Sequence, residues 1–228
     1  MAKLYGVGVG PGDKELITVK AIEVLKKADI IAIPESNNEK GSTAYEIVKP
    51  YIKENIETLT LTFPMIKDEK EKESIREKNA LLIKQKIDEG KSVCFITLGD
   101  PMLYSTFIYL LQNLKQYNIE VETIPGITSF SAMASLLNMP LTIQKEKLTI
   151  VCSFDEYVKQ LVKLSDTIVF MKVSSYREKL YDLIIENNLL NSFILVSNVG
   201  KENQIVSLNP EDLKNSDFSY FTTAIIKK

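Results

Sequence analysis

Val93-Cys94-Phe95-Ile96-Thr97-Leu98-Gly99-Asp100-Pro101-Met102-Leu103-Tyr104-Ser105-Thr106 reads as a buried strand running straight into a Gly-Asp-Pro turn. No charged residue interrupts Val93 to Leu98, the pattern of a strand covered on both faces of a parallel sheet. The turn that follows supplies backbone amides, one carboxylate and an aromatic ring, and no basic residue. Two other loops share that character: Gly6-Val7-Gly8-Val9-Gly10-Pro11-Gly12-Asp13 near the start and Ile124-Pro125-Gly126-Ile127-Thr128-Ser129 past the middle. Open α/β sheets bind ligands beyond the carboxyl ends of their strands, so the three loops are candidate walls of one site.

Working outward, apolar runs alternate with segments of helical period, which predicts an α/β fold with a mainly parallel sheet. Strands are expected over Lys3–Val9, Ile30–Ile33, Glu57–Thr62, Val93–Leu98 and Glu120–Ile124. Helices are expected over Glu15–Ala28, Thr43–Lys49, Lys67–Glu89 and Ser105–Lys115, the third turning Ile75, Leu82 and Ile87 inward. Composition shifts after Tyr117-Asn118, which divides the chain into residues 1–117 and 118–228. Beyond it the pattern predicts helices over Thr128–Leu137, Phe154–Leu164 and Tyr176–Asn188. Strands are expected there over Leu148–Cys152, Thr167–Lys172, Ser192–Val196 and Tyr220–Lys227, the last pairing antiparallel as lone late strands often do. No internal repeat or low-complexity segment is present.

With 228 residues, 45% hydrophobic and 25% charged, the chain suits one large α/β unit or two smaller ones and is close to a soluble average. No apolar run approaches the roughly 18 residues of a membrane span, and the N-terminus shows no signal-peptide core, so a cytoplasmic location is expected. A net charge of −2 and the lack of a basic stripe argue against nucleic acid as the main partner. Cys94 and Cys152 lie in apolar runs and form no C-x-x-C pair, so both are expected as reduced core residues. Histidine is absent altogether, which leaves no imidazole for acid–base work and no metal site built on it.

Two nucleotide-binding patterns fail at specific positions. A G-x-G-x-x-G motif begun at Gly6 needs glycine where Pro11 stands, and one begun at Gly8 needs it where Asp13 stands. Gly90-Lys91-Ser92 imitates the end of a P-loop, but the required upstream glycine is Gln85 and a strand follows instead of a helix. What Gly10-Pro11-Gly12 can do is turn sharply, with Asp13 capping the next helix. Gly99 lets main chain approach a ligand closely, and Asp100 offers a carboxylate to an amine or a sulfonium. Thr128 and Ser129 bring two hydroxyls to a helix N-terminus.

These loops, in this order, resemble the tetrapyrrole methylases, S-adenosylmethionine-dependent enzymes of corrin and sirohaem synthesis. The family's G-x-G-P-G-D, G-D-P and P-G-[IV]-[TS]-[SA] segments correspond to Gly8–Asp13, Gly99–Pro101 and Pro125–Ser129. Phe63-Pro64-Met65, Ile33-Pro34 with Ser42 and Ala44, and Gly99 through Thr106 are similar to the branch that methylates C-20 of precorrin-2 or its cobalt complex. The resemblance implies two α/β domains with the cofactor in a cleft between them, a homodimer, and precorrin-2 or cobalt-precorrin-2 as substrate. It implies S-adenosyl-L-methionine held by Gly10, Pro11, Gly99, Asp100, Leu103, Tyr104, Thr128 and Ser129, with Met171, Asn198, Thr222 and Thr223 approaching adenine and ribose.

Methyl transfer from a sulfonium is an in-line displacement that depends on positioning and exclusion of water, which suits a chain without histidine. Asp100 is the candidate catalytic carboxylate, beside the cationic sulfur or as acceptor of the C-20 proton, for which Glu35 and solvent are alternatives. Arg76 and Arg177 are the only arginines, so backbone amides, hydroxyls and lysines such as Lys172 must share recognition of the substrate's acid groups. Competing readings are another enzyme of the superfamily, acting at a different corrin position, on elongation factor two or on ribosomal RNA, and a non-catalytic adenosine-sensing module.

Overall fold

A computed structural model describes residues 2–35, 42–215 and 218–228. They form two compact units, Met1–Thr128 and Ser129–Lys228. The first is built on five parallel strands: β1 (Leu4–Gly8), β2 (Ile30–Glu35), β3 (Glu57–Thr62), β4 (Val93–Thr97) and β5 (Val121–Ile124), in the order β3-β2-β4-β1-β5.

The opening stretch takes the central place expected of it, and all five residues of β4 are buried. Its side chains alternate between faces as a strand dictates. Cys94 and Ile96 join Val7, Ile31, Ile33 and Ile124 on the face covered by α1 (Val19–Lys27) and α2 (Thr43–Val48). Val93 and Phe95 join Leu4, Ile30 and Leu61 on the other, under α3 (Glu69–Asp88) and α4 (Thr106–Leu114). Burial pushes the Cys94 thiol up to about 12, so it is an inert core group.

Local chemistry explains the element boundaries. The helix expected over Glu15–Ala28 is in fact two pieces. Asp13 accepts from the Glu15 amide at 2.9 Å and caps a short 3₁₀ turn over Lys14–Leu16, and Thr18 then caps α1. Strand β2 runs past Ile33 through Pro34, because its pairing with β4 ends at Ala32. The Glu35 carbonyl accepts from Phe63 on the β3 side, so Pro34 faces the side where no ladder bond is lost. In α3 the buried residues are Asn79, Ala80 and Ile83, while of the expected set Ile75 and Ile87 are half-buried. Leu82 is 40% exposed, Ile87 packs only at the margin of that core, and Asn79 donates to the Thr62 carbonyl at 2.8 Å.

The boundary expected after Tyr117 falls eleven residues later because β5 pairs in parallel with β1, Leu4 opposite Val121. Lys3 reinforces that pairing from below, 3.1 Å from Glu122 and 3.3 Å from Glu120.

The second unit holds α5 (Ser129–Leu136), β6 (Leu148–Val151), α6 (Val158–Leu164), β7 (Thr167–Met171), α7 (Arg177–Glu186), β8 (Phe193–Ser197), β9 (Ile205–Ser207), α8 (Asp212–Asn215) and β10 (Thr222–Lys227). Its sheet, β6-β7-β10-β8-β9, is mixed: only β6 and β7 run parallel, and β10 is antiparallel to both its neighbours. The expected antiparallel last strand is present, but the mainly parallel character holds for the first sheet alone. Phe170, Phe193, Leu195, Ala224 and Ile226 pack one face of the sheet under α6 and α7. Cys152 lies just past β6 and is only partly buried, so it is not the core residue expected. The three-residue β9 and the one-turn α8 were not anticipated, being too short to show a period.

The face of α3 is testable. Ile83→Ala should cost about 2–5 kcal/mol of unfolding free energy, whereas Leu82→Ala should cost less than about 1 kcal/mol. Urea denaturation of the two variants reads the difference; the reverse order would mean the helix is rotated.

Candidate functional site

The three glycine-bearing loops do converge, at the carboxyl end of the first sheet. Strands β4, β1 and β5 are adjacent, so the chain segments that leave them emerge side by side. Gly10 and Gly99 form an antiparallel bridge, the Gly99 amide donating to the Gly10 carbonyl at 2.7 Å. Gly10 takes φ +82° and Gly99 φ +76°, backbone that favours glycine.

Closer still is the approach of Gly8, Gly99 and Gly126. A Cβ on Gly126 would stand 2.1 Å from the Gly99 carbonyl oxygen and 2.8 Å from Gly8, and one on Gly8 only 2.5 Å from the Gly126 nitrogen. Main chain packs on main chain there, with no room for any side chain. On its other side Gly99 is bare: a Cβ would meet nothing nearer than the Ile127 carbonyl at 4.0 Å.

Asp100 sits among these loops with both carboxylate oxygens engaged. Oδ1 accepts from the Met102 amide at 2.8 Å and Oδ2 from the Gly126 amide at 3.0 Å. Pro101 is buried, Leu103 half-buried, and Tyr104 is 43% exposed with φ +50°. That is left-handed backbone, which costs a residue with a Cβ about 1–2 kcal/mol and concentrates at functional loops. Ser105 then caps α4, accepting from the Phe107 amide at 3.0 Å. Gly10 and Pro11 are both buried, so their part is to shape the loop rather than to present a side chain. Thr128 closes the first unit, half-buried at the end of the third loop.

In the second unit the expected residues also gather at one end of the sheet. Thr223 lies opposite Met171 in the β7–β10 ladder, and Ser129 Oγ is 3.0 Å from Thr223 Oγ1. Asn198, in left-handed backbone at φ +54°, follows β8 and donates its amide to the Phe221 carbonyl at 2.9 Å. Thr222 turns inward, donating to the Ser219 carbonyl at 2.6 Å and lying 3.0 Å from Ser197 Oγ.

Two members of this network escaped sequence reading, Ser197 and Ser219. Ser219 donates to Asn198 Oδ1 at 2.7 Å and accepts from the Phe221 amide at 3.1 Å. A lone serine near a strand end carries no pattern that separates this role from an ordinary turn. Lys172 adopts left-handed backbone after β7, its Nζ 5.4 Å from the centre of the Tyr220 ring. Among the described residues no cluster of three or more potential metal ligands occurs, and no helix is long and apolar enough to cross a membrane.

Glycine-bearing loops packed main chain on main chain at the carboxyl end of a parallel sheet, in a chain that also holds a mixed α/β unit, define the class as a two-unit α/β protein. The family profile of Tetrapyrrole (Corrin/Porphyrin) Methylases matches residues 3–212, and the chain belongs to that family. It is 43% identical to a probable cobalt-precorrin-2 C(20)-methyltransferase of Methanocaldococcus jannaschii, over 99% of this chain and 96% of that one. It is 33% identical to the cobalt-precorrin-2 C(20)-methyltransferase of Salmonella typhimurium, over the same shares.

Among solved structures, a cobalt precorrin-4 methyltransferase superposes with a TM-score of 0.78 at 21% identity, covering 99% of this chain and 94% of the other. A uroporphyrin-III C-methyl transferase from Thermus thermophilus, complexed with S-adenosyl homocysteine, gives 0.72 at 18%, covering 100% and 98%. At those identities the likeness speaks for the fold, the two-unit α/β architecture that the resemblance implied.

The glycine packing makes a sharp prediction. Gly126→Ala should lose about 2 kcal/mol or more, since the methyl meets main chain that cannot swing aside. Gly90→Ala, with φ +82° but nothing within 4 Å of its Cβ, should lose only about 1 kcal/mol from backbone conformation. Equal losses in denaturant titrations would show that the loops give way.

Proposed function

We propose that this chain transfers a methyl group from S-adenosyl-L-methionine to C-20 of cobalt-precorrin-2, a step in the construction of cobalamin. The observation that carries the reading is full-length similarity, at 43% and 33% identity, to two proteins named for that reaction. Both are named for the cobalt-bearing substrate, which favours it over metal-free precorrin-2. The cobalt belongs to the substrate, not to the protein.

The chemistry of the first-unit loops fits the donor. The bare side of Gly99 accepts a ligand against main chain, and the exposed Tyr104 ring offers it an apolar wall. The methionine end is therefore assigned to Gly99, Asp100, Leu103 and Tyr104, with Thr128 and Ser129 beside it and Gly10 and Pro11 shaping the adjoining loop. Met171, Asn198, Thr222 and Thr223 are assigned to the adenosine end. Thr222 Oγ1 donates to the Ser219 carbonyl, which holds the β10 start in place.

Bound there, S-adenosylmethionine supplies an electrophilic methyl group on a sulfonium. The protein's tasks are to hold the meso carbon in line with the sulfur–methyl bond and to keep water away. The C-20 proton that leaves after substitution can pass to Glu35, at the carboxyl end of β2, or to solvent. The proposal includes a cytoplasmic location, on the sequence pattern, and a homodimer, on the family resemblance, and light scattering on the purified chain checks the second.

Incubating the chain with methyl-labelled S-adenosylmethionine and either cobalt-precorrin-2 or precorrin-2 should label the cobalt form faster, at C-20 by NMR. Donor binding without transfer to either tetrapyrrole would replace this reading with the adenosine-sensing one. Label arriving at another ring position would reassign the enzyme within its family.

A further inference from the structure

We propose that Asp100 is a positioning residue whose carboxylate ties the loop after β4 to the loop after β5, and so fixes the surface against which the methionine end of the donor rests. Its partners are main-chain amides from both loops: Met102, two residues on, at 2.8 Å, and Gly126, twenty-six residues on, at 3.0 Å. The first bond closes a turn over Pro101. The second crosses to a separate strand end, at the point where Gly126 touches Gly8 and Gly99.

Hydrogen bonds from amides to an ionised carboxylate are about twice as strong as neutral ones. Two of them on one side chain leave the Gly99 and Gly126 peptides little freedom relative to each other. The sequence offered Asp100 as a charge beside the sulfur or as a proton acceptor. Those roles need an oxygen directed at the reacting atoms, whereas both oxygens here are directed at the backbone. The inference rests on the methyltransferase reading only for the identity of the ligand; the tether itself stands on the geometry.

The two roles separate by experiment. Asp100→Asn keeps one acceptor oxygen and turns an NH₂ toward one of the two amides. Asp100→Glu keeps the charge but displaces it by one carbon–carbon bond, about 1.5 Å. S-adenosylmethionine is a cation at sulfur, while S-adenosylhomocysteine carries a neutral thioether of nearly the same shape.

Calorimetric titration of the full chain and both variants with each ligand is to be run well below each melting temperature, where a role in global stability alone leaves affinity unmoved. A tether predicts that both variants weaken both ligands by the same factor, roughly ten- to a hundredfold. Loss confined to S-adenosylmethionine in Asp100→Asn, with Asp100→Glu unaffected, would overturn the proposal in favour of a charge partner. Unchanged affinities in both variants would overturn it as well.

If the unaltered chain binds neither ligand, the functional reading fails and the tether is judged on amide exchange instead. The Gly126 amide should exchange slowly in the unaltered protein and faster in Asp100→Asn. Exchange as free as that of an exposed turn in the unaltered protein would dismiss the tether, even where a variant fails to fold.

Discussion

Main chain meeting main chain is the constraint on which the carboxyl end of the first unit's sheet depends. Gly8, Gly99 and Gly126 approach so closely that a methyl group on Gly8 or Gly126 would overlap backbone atoms. Packing of that kind cannot be relieved by a rotamer change, because peptide groups have no rotamers to change. It turns three loops, ordinarily the mobile parts of an α/β fold, into one stiff surface. The Gly10–Gly99 bridge extends that surface, and the Asp100 carboxylate closes it. Stiffness suits a reaction governed by alignment, since a displacement in line with a sulfur–carbon bond gains from geometry held before the ligand arrives.

The second unit reaches order by a different route. Ser197, Asn198, Ser219 and Thr222 exchange hydrogen bonds at the end of a mixed sheet, with Ser197 and Thr222 almost fully buried. Short hydroxyl side chains can donate and accept at once, and among the described residues no buried side-chain nitrogen or oxygen lacks a hydrogen-bond partner. Because the antiparallel β10 starts where β7 and β8 end, Thr222 and Thr223 stand beside the last residues of both neighbours. A purely parallel sheet would have carried that strand's first residues to the opposite edge.

Where sequence reading succeeded, the signal was strong and local. Strand β4 announced itself by an uncharged apolar run, and Asp13 by a cap residue ahead of a helical turn. It failed where several registers satisfy the same pattern. In α3, Ala80 and Asn79 occupy core positions that hydrophobicity alone would have given to Leu82, because the small alanine allows close packing and the asparagine finds the Thr62 carbonyl. The division between units was misplaced for a related reason: composition changes near Tyr117, but strand pairing with β1 and the Lys3 ion pairs hold Val121–Ile124 to the first sheet.

The order of the loops, the alternation of strand and helix, the lack of imidazole and the family itself were all determined by the amino-acid sequence, since each resides in residue types and their spacing. Strand order, the mixed direction of the second sheet and the partners of Asp100, Ser197 and Ser219 were decided only by tertiary structure. Those features arise from contacts between segments far apart along the chain, and no local pattern records which of many chemically acceptable partners a carboxylate or a hydroxyl will meet.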